Sequence, residues 1–272
     1  MSWRRVTLVA LHVFRESVRD RVLYAIAAFA VAIVAASILI GQITAGQDVK
    51  IIKDIGLATI ELAGIAMSVF VGIGLVSREI ERRSIFALLA KPLPRAEFVV
   101  GKYLGLVLTI VVNIAAMTVA LYLMLAFLDW RASPDQRLGW DTAATDPRLL
   151  VAVGLITVEM ALLTAVALFF STFSSSALLS LMFTLGLFVA GFFGDDLRHF
   201  GDIIEVAPMV GAFVSALGWV LPAFSAFDVK AQVVHGIPVP PGFVVWTIAY
   251  GGAYIVGLLA ASIALFSRRE FQ

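Results

Sequence analysis

Two carboxylates stand within long apolar stretches of this 272-residue chain, at Glu61 and Glu159. A charged carboxylate near the middle of a bilayer costs about 2.5–3.5 kcal/mol on insertion scales. Such residues usually face the interior of a helix bundle or a water-filled cavity. We therefore name both as candidates for a membrane pathway. The alternative is a structural role, as a protonated side chain or one bonded to a neighbouring helix. Glu61 is expected near the outer end of its stretch, where it can also reach the interface.

A second candidate site lies in the charged segment 77–98. Glu79 and Arg83 have the spacing of a helical ion pair, and Pro92 ends the helix that they begin. A short charged helix with exposed leucines suits the docking of another protein. A solvated loop whose leucines touch lipid headgroups fits the pattern equally well. The candidate docking residues are Glu79, Arg82, Arg83, Leu88, Leu89, Pro92 and Arg95. Arg95 and Lys102 could instead anchor the following helix to headgroups.

Several other kinds of chemistry are not expected. The chain has no cysteine, which excludes disulfides, thiolate metal sites and thiol nucleophiles. The serines of 171–176 have no neighbouring base and fit a turn, and the three histidines lack metal-binding spacing. Gly101 and Lys102 are followed by Tyr103, so they do not end a phosphate loop. A net charge of +1 gives no indication of nucleic-acid binding. We predict no catalytic residue, metal site or cofactor in this chain.

The composition places the candidate residues in a membrane protein. Only 14% of the residues are charged and 61% are hydrophobic, whereas soluble domains carry about 25% charged residues. A spanning helix needs about 20 apolar residues. Six stretches qualify, at 22–43, 56–76, 99–128, 149–170, 177–193 and 243–266. We predict an all-α, polytopic membrane protein in which residues 1–272 form one domain with six transmembrane helices.

The basic residues predict the orientation. With both termini in the cytoplasm, 13 of the 20 Lys and Arg residues lie inside and 7 outside, as the positive-inside rule expects. Residues 194–242 then form an extracytoplasmic loop. Its apolar part, 206–224, is interpreted as a short helix or re-entrant piece. Were it a seventh span, Arg268 and Arg269 would lie outside.

The residues before the first apolar stretch have a helical period of their own. Within 1–20, charged residues and His12 share an arc of about 120°, interrupted by Leu8, and apolar residues fill the opposite side. This pattern predicts an amphipathic helix that lies in the headgroup layer, with its arginines over anionic lipid.

The charged segment also resembles a known family. Its acidic and Arg pair, Leu-Leu, Pro, Arg and Gly-Lys resemble the loop between the second and third spans of ABC-2 family transporter permeases. The similarity is greatest to the six-span branch that includes the permease of nitrous oxide reductase maturation. Residues 15–21 and 167–176 also resemble that family. The matching loop residues are Glu79, Arg83, Leu88, Leu89, Pro92, Arg95, Gly101 and Lys102.

The resemblance implies a dimeric transport subunit of the bacterial inner membrane that works with a separate ATPase. ATP and Mg²⁺ would then bind to that partner, and the segment 77–98 would couple the two proteins. Export is the expected direction, and either a homodimer or a heterodimer fits. The rival interpretation is a secondary transporter or channel that needs no ATPase. An enzyme is not expected.

Overall fold

The computed structural model of the chain describes most of its residues, and those are almost entirely helical. The described residues are 2–19, 24, 26–33, 35–36, 48–81, 94–174, 176–199 and 207–268. Ten α-helices within these ranges are labelled here: α1 Trp3–Val18, α2 Asp48–Glu81, α3 Arg95–Arg131, α4 Pro134–Leu138, α5 Leu149–Phe173, α6 Ala177–Phe192, α7 Gly194–Arg198, α8 Pro208–Val220, α9 Lys230–Val234 and α10 Pro241–Arg268. A 3-10 turn covers Phe224–Phe227, and 26–33 is helical as well.

Four of the helices are long and apolar enough to cross a membrane. Their candidate spans are Val49–Gly72, Arg95–Arg131, Leu149–Thr172 and Pro241–Phe266. They match the predicted second, third, fourth and sixth spans, which makes the chain a multi-pass membrane protein. The predicted fifth span is α6, which has only 16 residues. The predicted first span lies largely outside the described residues. The count of six therefore stays a prediction.

Helix α5 is the centre of the bundle and packs against α2, α3, α6 and α10. Its contact with α2 is close because α2 presents glycines there. A Cβ atom on Gly64 would lie 2.9 Å from Met160, and one on Gly72 would lie 2.6 Å from Ala167. Small residues let helix backbones approach closely in a membrane. The two glycines therefore fix the register of α2 on α5.

The long loop after α6 folds back into the bundle. Helix α8 and the segment 224–234 are bent by 42° at their junction, a geometry shared by broken spans and re-entrant loops. Phe224 and Phe227 are fully buried in the main apolar core. A Cβ atom on Gly191 of α6 would lie 2.3 Å from the carbonyl oxygen of Pro222. The part of the loop after Pro222 is thus part of the packed structure.

Helix α1 packs along the start of α3. Val6, Ala10 and Val13 are buried, and a Cβ atom on Gly105 would lie 2.6 Å from the carbonyl oxygen of Ala10. The buried Glu97 carboxylate accepts a 2.5 Å hydrogen bond from the backbone N–H of Ser2, at the positive end of the α1 dipole.

The apolar side of α1 is therefore divided in two. One half packs on α3, while the other exposes Trp3 and Leu11. The helix itself and its charged face agree with the sequence pattern. A position in the headgroup layer stays a prediction.

Candidate functional site

The candidate site lies beside α2, in the half of the bundle predicted to face outward, here called the outer half. The candidate span of α2 begins at Val49, seven residues before the predicted start. Glu61 is therefore 12 residues into the span, about 18 Å along the helix axis. Glu61 is thus further from the start of its helix than the sequence predicted, because Lys50, Lys53 and Asp54 interrupt the apolar pattern over the first two turns. Its distance from the membrane surface stays a prediction.

Glu61 is paired with a residue that is distant in sequence. The Nζ atom of Lys230, at the start of α9, forms an ion pair with Glu61 Oε2, and it lies 3.4 Å from Asp228 Oδ1. The side chains of Lys230 and Glu61 are only 17% and 11% exposed. Sequence reasoning placed Lys230 only in the extracytoplasmic loop 194–242. No local signal could have identified this pair, since its members are 169 residues apart.

Glu159 is the more deeply buried carboxylate, with 1% of its surface exposed. No described group lies within hydrogen-bonding distance of its Oε2 atom. Since Gly64 is level with Met160, Glu159 lies only about 3 Å further along the bundle than Glu61. The structure therefore brings the two predicted pathway residues to a similar depth in the bundle.

A cavity of about 420 Å³ opens beside the Glu61–Lys230 pair. Its wall is formed by one side of α2, one side of α6 and the lysine of α9. The outer parts of this wall are open, and Leu62 and Phe193 are 63% and 52% exposed. The lining residues are Ala58, Glu61, Leu62, Ile65, Phe188, Val189, Phe192, Phe193 and Lys230. The cavity thus combines an apolar, aromatic wall with one ion pair.

A second buried charge near the outer end of α2 was not anticipated. Lys53 is 0% exposed. Its ammonium donates hydrogen bonds of 2.7 Å to Thr142 Oγ1 and 2.6 Å to the carbonyl oxygen of Ala143. These bonds tie α2 to the loop between α4 and α5, here called the outer clasp (residues 139–148).

The outer clasp is also joined to the loop after α9. Arg148 donates a 2.7 Å hydrogen bond to the carbonyl oxygen of Gly236. The sequence signal available for Lys53 was only its place one turn after Lys50, which predicts nothing about burial.

The comparison with known families decides the class of protein. A family described as "ABC-2 family transporter protein" matches residues 7–271. The chain belongs to the ABC-2 transporter family. No curated protein matches it significantly. The family assignment makes the chain a membrane permease of the ABC transporter class, which agrees with the apolar helices already described.

Only part of the predicted coupling segment of the permease is described. Glu79 falls in the last turn of α2, whereas Arg82, Arg83, Leu88, Leu89 and Pro92 lie outside the described residues. Arg95 lies at the start of α3 and donates a 2.9 Å hydrogen bond to the carbonyl oxygen of Phe266 in α10. This contact joins the coupling segment to the last span.

Lys102 does not reach lipid headgroups, because it is 1% exposed and its Nζ atom lies 5.5 Å from the centre of the Phe98 ring. The headgroup alternative is therefore wrong for this residue. The coupling role of the segment stays a prediction.

Ser174, His199 and His235 make local contacts. Ser174 Oγ donates a 3.0 Å hydrogen bond to the carbonyl oxygen of Ser176, which fits the predicted turn. The rings of His199 and His235 each bond to the backbone carbonyl four residues earlier. These short-range hydrogen bonds indicate a structural role for the three side chains.

Proposed function

We propose that this permease is the membrane subunit of an ABC exporter, in which two permease subunits work with two separate ATPase subunits. The observation that carries the proposal is the family match over residues 7–271. In addition, the sequence contains no phosphate-loop motif, which agrees with ATP hydrolysis by a separate subunit. The similarity of the coupling segment to the six-span branch supports the same architecture.

The geometry of α2 suggests how the two subunits communicate. This helix is continuous from Asp48 to Glu81, so one rigid rod connects the coupling segment to the cavity. Glu79 and Glu61 are 18 residues apart, about 27 Å along that rod. Closure of the ATPase pair would push on the segment 77–98 and tilt α2 against α5. Such a rigid-body tilt would open or close the cavity beside Glu61.

We place the permease in the bacterial inner membrane with both termini in the cytoplasm, on the strength of the charge asymmetry. Because the chain has no cysteine, single substitutions give a clean test. Ser133→Cys, in the exposed cap of α4, should react with an impermeant thiol reagent in intact cells. Ser84→Cys should react only after the membrane is permeabilised. Labelling of Ser84→Cys in intact cells would reverse the orientation.

The coupling test is the double variant Leu88→Ala with Leu89→Ala. Burial of one leucine side chain contributes about 1.5–3 kcal/mol to the binding free energy, so the loss of two should disrupt a modest docking interface. Affinity-purified permease should carry an ATPase with a phosphate loop, and the double variant should lose it while staying inserted. The control is Leu138→Ala with Leu150→Ala, which removes two exposed leucines from the outer half and should keep the ATPase.

Two results would contradict the proposal. One is a double variant that keeps both the ATPase and transport, since the segment would then be only a solvated connection. The other is transport by permease that carries no ATPase at all, which would favour a secondary transporter or channel.

A further inference from the structure

We propose that the cavity between α2 and α6 binds a hydrophobic organic cation, with Glu61 as its charge partner and the phenylalanines of α6 as its apolar wall. The inference rests on the proposed transport function and names the chemical class of its cargo. At about 420 Å³, the cavity falls within the range of pockets that hold drug-sized molecules, about 300–1,000 Å³.

The charges around the cavity do not balance. Glu61 and Asp228 are two carboxylates that contact a single ammonium within the described residues, that of Lys230. The nearby Lys53 is already engaged by Thr142 and Ala143. A cationic ligand would reduce this excess of negative charge, whereas an anionic ligand would increase it.

The wall of the cavity favours an aromatic or otherwise apolar body on the cation. Phe188 and Phe192 are one helical turn apart, with ring centres 6.5 Å from each other, and Phe193 stands edge-on to Phe192 at 5.6 Å. Aromatic faces attract cations through their quadrupole and also pack against apolar groups. A small inorganic cation would leave most of this wall unused.

Lys230 is, in this view, an internal substitute for the ligand. The Lys230 ammonium neutralises Glu61, and a bound cation would take over that contact. Lys230 extends from a five-residue helix at the end of a loop, so a small shift of α9 would release Glu61. The exchange predicts opposite effects for the two members of the ion pair, which a merely apolar pocket does not.

The test is equilibrium binding of tetraphenylphosphonium, a permanent aromatic cation, to purified permease without any ATPase. Glu61→Gln should weaken binding by about tenfold or more, as for loss of one partner of a buried charge pair. Lys230→Gln should strengthen it, because the competing ammonium is gone. Asp135→Asn, on exposed α4, is the matched control and should bind as the parent protein does. Neutral triphenylphosphine oxide should bind much more weakly than the cation.

The outcomes decide between the alternatives. Equal binding of the neutral compound, no binding of the cation, or the same affinity in Glu61→Gln and Lys230→Gln would each overturn the inference. Should Glu61→Gln fail to fold, the gain in Lys230→Gln and the preference for cation over neutral compound still decide it. Loss of this inference with an intact ATPase interaction would leave the proposed function standing, because the binding assay contains no ATPase.

Discussion

Helix α2 carries two buried charges only eight residues apart, and their surroundings differ. Lys53 is fully buried, and its ammonium donates to two oxygens of the outer clasp. Glu61 is also buried, but it borders an open cavity and belongs to a group with more carboxylates than ammonium groups. A buried charge whose bonds are complete holds elements together. A buried charge that borders a cavity, in a group with more carboxylates than ammonium groups, is suited to exchange partners.

The largest effect is expected at the satisfied site. Lys53→Met removes the buried ammonium together with its two short hydrogen bonds, and it leaves Thr142 and Ala143 without their donor. The free energy of unfolding should fall by about 3 kcal/mol. Unfolding in mixed detergent micelles should show this loss. Lys50→Met is the control, because Lys50 is partly exposed and lies 3.6 Å from the exposed Asp141. Its cost should stay within about 1 kcal/mol. Equal stability of the two variants would mean that the hydrogen bonds of Lys53 do not hold α2 to the outer clasp.

A smaller loss is expected where the outer clasp meets the loop after α9. Gly236 has a φ of +72°, and a Cβ atom there would lie 2.4 Å from Thr142 Cγ2. Gly236→Ala should cost about 1–2 kcal/mol for the left-handed backbone alone. Gly242→Ala has open space around its Cβ position and serves as the control. An unchanged unfolding midpoint for Gly236→Ala would mean that the clasp and this loop are not rigidly joined.

Glu159→Gln should separate stability from function. The substitution keeps the shape of the side chain, and Oε2 has no described hydrogen-bond partner to lose, so stability should change by less than about 1 kcal/mol. Transport, or ATPase activity stimulated by cargo, should change because the amide cannot bind or release a proton as a carboxyl group can. A fully active Glu159→Leu variant would show that this carboxylate has no pathway role.

The smallest effect is expected for Asp228, whose side chain is 35% exposed. Exposed ion pairs contribute about 0–1 kcal/mol, so Asp228→Asn should weaken tetraphenylphosphonium binding by no more than about fivefold. Glu61→Gln should have the stronger effect. The reverse order would place the charge partner of the cation on the loop rather than on α2.

Hydropathy could predict the helices that lie in a uniform environment, but not those whose ends depend on distant partners. The predicted 149–170 agrees closely with the candidate span Leu149–Thr172, because every residue of α5 meets protein or lipid. The start of α2 was missed because Lys53 reads as a solvent-exposed charge. Its partners Thr142 and Ala143 are 89 and 90 residues away, and a local pattern carries no information about them.

The candidate site divides in the same way. The depth of Glu159 followed from its place in an apolar stretch, whereas the pairing of Glu61 with Lys230 depends on how the long loop folds back. The docking of α1 did have a local signal, in the four-residue spacing of Gly101 and Gly105. That spacing is typical of closely packed membrane helices, and a Cβ atom on either glycine would clash with α1.

The dependence on a separate ATPase is tested most directly by photolabelling the affinity-purified transporter with an azido analogue of ATP. We expect the label on a co-purifying polypeptide with a phosphate loop and none on this 272-residue chain. ATP hydrolysis should likewise disappear when that polypeptide is removed. Label on this chain, or transport by a preparation that contains this chain alone, would contradict the account.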